Sequence, residues 1–223
     1  MPAHVRSVNR SPVARLPGVR RPSGIGKRPV DRIEVRDPGP RRDGLGSGVV
    51  GDGIGARRHH GGTAQAVYAF AREELDRWGD ELGRELPDGL FGENLTTVGL
   101  AVDDALTGER WRVGTALLEV TGPRIPCATF GERMGEPQWV RRFAEHGRTG
   151  AYLAVVEAGV VEAGDPVVVE SRPAHDVTVP MLFRAGTGER ELGREILAAT
   201  DLHPFTREWL AGRVGEAPAY SRS

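Results

Sequence analysis

The chain has 223 residues, and its 30 Lys or Arg against 31 Asp or Glu give a net charge of −1, which excludes a uniformly basic nucleic-acid binder. Hydrophobic residues at 39% and charged residues at 27% exclude an intrinsically disordered chain and predict a folded, soluble one. No run is apolar for long enough to span a bilayer, Met1–Pro12 lacks a signal-peptide core, and a single cysteine forms no internal disulfide, so a reducing, cytoplasmic setting is expected.

In chain order, His4–Val8 reads as a first strand, and the Gly-, Pro- and Arg-rich segment from Pro12 to Asp52 as loops with edge strands such as Ile33–Val35. Residues 1–60 hold twelve Arg and one Lys against five Asp or Glu, a surplus of eight positive charges that suits an anionic ligand. Within it, Arg20, Arg21, Arg41 and Arg42 read as a solvated basic arm. Thr63–Leu82 reads as one helix, with Val67, Phe70, Ala71, Leu75, Trp78 and Leu82 on one face. Arg110–Val113 and Ala116–Val120 flank Gly114-Thr115 as a hairpin, Pro137–His146 reads as a helix, and Gly150–Glu157 and Val160–Glu170 are Val-rich strands. Many short strands with Gly turns predict a mainly β, barrel-like core with helices, an α+β fold, over residues 1–172. After Pro173, three short helices are expected at Val177–Arg184, Arg190–Ala199 and Phe205–Arg213, forming a module over residues 173–214, with a flexible tail at 215–223.

Four clusters carry chemistry. Pro123-Arg124-Ile125-Pro126-Cys127 follows a strand; the prolines stiffen the backbone around a soft thiol suited to a transition metal. An isolated cysteine is more often simply buried. His59-His60-Gly61-Gly62 precedes the expected helix, where free N–H groups and the dipole favour an anion and the imidazoles can exchange protons. A polar helix cap is the competing explanation, and no Cys/His companion lies at a zinc spacing. Phe91-Gly92-Glu93-Asn94-Leu95-Thr96-Thr97 is a compact polar turn in which Asn94 can donate and accept at once, as a heterocycle edge requires; stabilising its own turn is the plainer role. Ser23-Gly24-Ile25-Gly26-Lys27-Arg28-Pro29 lacks the length and helix of a P-loop, which excludes a nucleoside triphosphatase. Lys27 is the only lysine beside 29 arginines, so its compact ammonium is a candidate for a specific task.

In order, Ser23-Gly24-Ile25, Lys27, Pro29, Gly51-Asp52, His59–Gly62, Ala66-Val67-Tyr68, Phe91–Thr97 and Pro123-Arg124 with Pro126-Cys127 resemble the MOSC family, named for the C-terminal domain of molybdenum-cofactor sulfurases. The match runs from about Val5 to Glu170, and the helical tail resembles the three-helix extension of the YiiM-type bacterial members. The resemblance implies a β-barrel-like fold and a molybdenum cofactor, molybdopterin with molybdenum, bound by Lys27, His59, His60, Gly61, Gly62, Asn94, Thr96, Arg124 and Cys127. It implies that Cys127 binds molybdenum or carries sulfur, and His60 is taken as the catalytic proton donor, with His59 as the alternative. A pyridoxal phosphate label attaches only at family level. The pterin phosphate is expected near His59–Gly62, with Lys27 and Arg124 as further anion partners. The implied reaction is reduction of N-hydroxylated compounds, hydroxylaminopurines among them, with electrons from an external reductase protein. The alternative is a cofactor or sulfur carrier that uses a Cys127 persulfide without turnover. Residues 171–223 carry equal numbers of Arg and acidic residues, which argues against a nucleic-acid-binding tail. Because every motif precedes Arg172, a chain ending there is expected to keep its cofactor.

Overall fold

The structure is a computed structural model that describes residues 2–198 and 202–215. The chain opens with β1 (His4–Arg10), β2 (Arg28–Val30) and β3 (Arg32–Val35), then a short 3-10 turn at Thr63–Gln65. β4 (Val67–Ala71), α1 (Arg72–Leu82) and β5 (Leu95–Val98) follow. Next come β6 (Arg110–Val113), β7 (Ala116–Pro123), α2 (Ala128–Met134) and α3 (Trp139–His146). The β segment ends with β8 (Ala151–Glu157), β9 (Gly159–Glu162) and β10 (Val167–Ser171). Three helices finish the described chain: α4 (Val179–Thr187), α5 (Arg190–Leu197) and α6 (Pro204–Val214). The expected tail lies, beyond Gly215, outside the described residues.

Eight strands form one mixed sheet in the order β10-β6-β7-β8-β4-β5-β1-β2, and β3 pairs with β9 separately. Only β4 and β5 run parallel among the sheet's neighbours. The fold is α+β as expected, but the ladder does not close into a barrel: β10 and β2 remain its edges. Backbone bonds Val5 N to Asp165 O (2.8 Å) and Val167 N to Ala3 O (2.9 Å) tie the start of β1 to the approach of β10. The expected hairpin is present, with Gly114 in the left-handed region (φ 56°).

The expected helix Thr63–Leu82 is instead a turn, a strand and a shorter helix. β4 is buried on both faces, which explains the difference. Val67, Ala69 and Ala71 enter an aliphatic core with Val5, Leu118 and Leu153, while Tyr68 and Phe70 enter an aromatic core. A strand apolar on both sides shows no period-2 alternation, and its residues continue the helical stripe of α1 by coincidence. The Val160–Glu170 strand likewise splits into β9 and β10, with Gly164 (φ 95°) turning the chain between them.

The aromatic core lies under α1, α2 and α3: Trp78, Phe91, Phe130, Trp139 and Phe143 pack at 4.7–6.0 Å between centroids, mostly edge to face, with Trp78 stacked on Phe143. Each fully buried side chain of this size contributes roughly 1.5–3 kcal/mol of transfer free energy. α4, α5 and α6 pack around a third cluster that includes Leu182, Ile196 and Leu210. α6 docks on β7 through Thr206 Oγ1, which donates to Thr121 O at 2.7 Å.

Candidate functional site

β7 runs out at Pro123, and the next four residues cross to α2, with Cys127 in extended conformation (φ −131°, ψ 169°) immediately before the helix. This crossing walls an inner cavity of about 110 Å³, lined by Lys27, Asp52, His60, Asn94, Arg124 and Cys127 among others. It adjoins an outer chamber of about 800 Å³ that shares His60, Gln65, Cys127 and Tyr152. Cys127 is a free thiol, partly exposed, at the junction of the two.

Arg124 is 5% exposed, its guanidinium carbon 3.6 Å from the centroid of the Phe130 ring. Its Nη1 has no hydrogen-bond partner. Leaving that donor unpaired costs about 1–3 kcal/mol or more, so a buried cation that lines a cavity in this way has the chemistry to receive an anion. Burial, then the charges of Arg124 and Arg41, pushes the His60 imidazole below its ordinary range. His60 is therefore neutral near pH 7, a hydrogen-bond partner that carries no spare proton.

Lys27 is also buried, but its ammonium is committed to Asp52. Asp52 further accepts from Ser11 N and Ser47 Oγ, both at 2.9 Å, and from Asn94 Nδ2 at 3.2 Å. Desolvation pushes the Lys27 pKa down against the pull of Asp52. Asn94 also donates to Asn9 O (3.1 Å) and accepts from Tyr68 N (3.2 Å), so its amide pins β1 and β4 together more than it reads a ligand edge.

The structure thus gathers Lys27, His60, Gly61, Asn94, Arg124 and Cys127 on one cavity. His59 is exposed and reaches only the outer chamber. Gly62 and Thr96 do not line either space. Thr96 Oγ1 instead accepts from Asn9 Nδ2 (3.1 Å) and donates to Glu93 Oε1 (3.1 Å) behind the cavity.

The helix-entrance argument for His59–Gly62 is overturned. β4 separates the cluster from α1, and the backbone amides are already used: His59 N and His60 N on Ala56 O, Gly61 N on Gln65 Oε1, Gly62 N on Gly46 O. The two glycines are needed for packing. Both have φ near +84°, and a Cβ would lie 2.6 Å from Gly46 O or 2.8 Å from Arg41 N.

Sequence reasoning passed over Tyr68, Tyr152 and the outer cations. Arg21 and Arg41, read as a solvated arm, line the outer chamber with Arg57, Arg58 and, from α6, Arg213 and Trp209. Arg20 follows the expectation in being exposed, paired with Glu132, and Arg42 is exposed. The positive surplus of residues 1–60 was the available signal for these side chains. Asp52 stood in the motif order but showed no sign of its pairing with Lys27.

Residues 56–168 match the MOSC domain family, about half of the chain. The chain belongs to the MOSC domain family. The protein YflK of Bacillus subtilis is 33% identical over 134 residues, covering 60% of this chain and 61% of YflK. A protein named Reductase from Gibberella moniliformis is 33% identical over 132 residues, 57% of this chain and 23% of that protein. The chain therefore spans about three fifths of one curated relative and under a quarter of the other. The crystal structure of YiiM from Geobacillus stearothermophilus superposes with a TM-score of 0.74 at 25% identity, over 96% of this chain and 100% of that one. Among the described residues no helix is long and apolar enough to cross a membrane.

Proposed function

We propose that this MOSC protein binds a molybdenum cofactor across the two joined chambers and reduces N-hydroxylated compounds, such as hydroxylaminopurines, to amines. The observation that carries the reading is the buried Arg124, with its unpartnered Nη1, on the same cavity wall as the free thiol of Cys127. These residues suit the group chemically. A guanidinium donor suits an anionic phosphate, and a sulfur is a soft donor for molybdenum. The relative named Reductase is in keeping with the reading.

When bound, the metal centre supplies the two-electron redox chemistry. The overall reaction consumes two protons and two electrons and converts an N–OH group to N–H with release of water. An external reductase protein provides the electrons, and the lone free thiol fits a reducing, cytoplasmic setting. On the protein side, Arg124 holds the anionic part of the ligand. Cys127 holds the metal. His60, kept neutral, orients a donor or acceptor at the chamber junction and relays a proton only after receiving one. Tyr68 stays protonated because burial raises its pKa well above the ordinary value, and its hydroxyl donates to Thr149 O at 2.8 Å.

The test is molybdenum and pterin analysis of the chain purified from a cofactor-competent host, followed by assay on an N-hydroxylated purine with a chemical reductant. Wild type is expected to hold molybdenum and turn over, and Cys127→Ser to lose turnover while keeping its thermal transition. Cofactor retention without turnover in wild type identifies a carrier instead.

A further inference from the structure

The outer chamber carries more positive charge than one cofactor phosphate requires. Arg21, Arg41, Arg57, Arg58 and Arg213 line it, and no Asp or Glu does so among the described residues. Glu132, which feels the charge of Arg21, is already bonded to Arg20. Arg41 and Arg57 meet backbone oxygens of Gly61 and Gly44, contacts that satisfy donors without neutralising charge. Cations gathered at an uncompensated concave surface repel one another, and an anion relieves that repulsion while being drawn in by the focused field.

The same chamber has an aromatic wall. Trp209 is partly buried on α6, one ring edge set against Gly186, where a Cβ would lie 2.1 Å from Cη2. Four residues on, the Arg213 guanidinium sits 5.5 Å from the ring centroid. An indole beside a guanidinium presents a stacking surface next to a phosphate donor.

We propose that the outer chamber is a second anion subsite that takes the 5′-phosphate of a nucleotide, so that the substrate is an N-hydroxylated nucleoside monophosphate rather than the free base. The proposal rests on the reductase reading for its chemistry. Arg58 and Arg213 hold the phosphate, Trp209 stacks the base, and the N–OH group is directed toward Cys127.

The experiment is a fluorescence titration of the full chain loaded with cofactor at matched molybdenum content. Loading keeps the cofactor's own phosphate site filled. The probes are adenosine 5′-monophosphate, adenine and inorganic phosphate. Trp209 is the tryptophan expected to respond, since Trp78, Trp111 and Trp139 are buried, and Trp209→Phe identifies its signal. Adenosine monophosphate is expected to bind about tenfold or more tightly than adenine, a preference that shrinks as salt rises. Arg213→Ala and Arg58→Ala should each remove most of that preference, and Arg58→Ala, away from the Trp209 ring, should leave adenine binding unchanged. Equal binding of nucleotide and base by the loaded chain overturns the proposal. So does inorganic phosphate competing as well as the nucleotide, or nucleotide binding confined to the cofactor-free chain, which would assign the cations to the cofactor alone. A chain that takes up no cofactor sinks the reductase reading, and the substrate assignment with it, whereas the other outcomes sink only the subsite.

Discussion

Burial pushes two titratable groups near the cavity, Lys27 and Glu93, toward their uncharged forms, and both lead to measurements. Burial lowers the Lys27 pKa, and the ion pair with Asp52 offsets part of that cost. Lys27→Ala leaves the Asp52 carboxylate buried without its counter-ion. Three other donors still reach it, so the loss should fall near the lower end for breaking a buried pair, about 3 kcal/mol by urea denaturation. Lys27→Arg keeps the charge but forces a planar fork into a site shaped around an ammonium, and reduced cofactor retention is expected at matched expression. Wild-type stability in the alanine variant would show that the pair contributes nothing to the fold. Glu93 is fully buried with one oxygen unpartnered, and burial raises its pKa from 4.5 to about 7. The folded chain therefore keeps a proton that the unfolded chain releases. That contribution is complete below about pH 4.5 and lost as pH rises through about 7. Glu93→Gln retains an acceptor for Gly89 N and Thr96 Oγ1 and removes the charge. At pH 8 the variant should exceed wild type by about 3 kcal/mol, with the difference vanishing near pH 4.5. A pH-independent difference would refute the assignment.

At the level of elements, the approach of α4 to α6 determines where Trp209 sits. Gly186 occupies the last part of α4, where alanine would ordinarily gain about 1 kcal/mol of helix propensity. Here a methyl group meets a rigid indole ring at 2.1 Å, and overpacking of that kind costs about 1–3 kcal/mol. Gly186→Ala should thus lower the thermal midpoint and shift tryptophan emission, because α6 moves off its seat. A raised midpoint with unchanged emission would mean that propensity wins and the ring yields freely. β4 illustrates the reverse relation between residue and element. Its five residues are buried from both sides, so two cores together impose the extended form on a sequence that a single amphipathic face would have wound into a helix.

For the whole molecule, the helical extension contributes both to the core and to the lining of the outer chamber. Val179 joins the main aliphatic cluster, and its N–H donates to Ala105 O at 3.1 Å. Trp209 and Arg213 line the outer chamber. The expectation that a chain ending at Arg172 keeps its cofactor therefore changes. Truncation uncovers apolar surface beneath α4 and α6, at roughly 1.5–3 kcal/mol for each large side chain lost, and opens the chamber. A lower melting temperature and weaker pterin retention should be observed together. Full retention by a stably folded truncation would restore the motif-based expectation.

Sequence alone determined the family motifs, the α+β composition, the three C-terminal helices and the singling out of Cys127, Arg124 and Lys27, which line one cavity. Those features are local: turn glycines, prolines flanking a thiol and short periodic stretches carry their meaning within a few residues. Tertiary structure decided the rest. It split Thr63–Leu82, spent the amides of His59–Gly62 on internal bonds, turned Thr96 away from the cavity and brought Arg213 from α6 to line the same chamber as Arg57 and Arg58. Burial on a second face, the partner of a buried charge and the meeting of distant segments all depend on contacts far apart in the chain. Their energies, a few kcal/mol each, exceed the fractions of a kcal/mol that local propensity supplies.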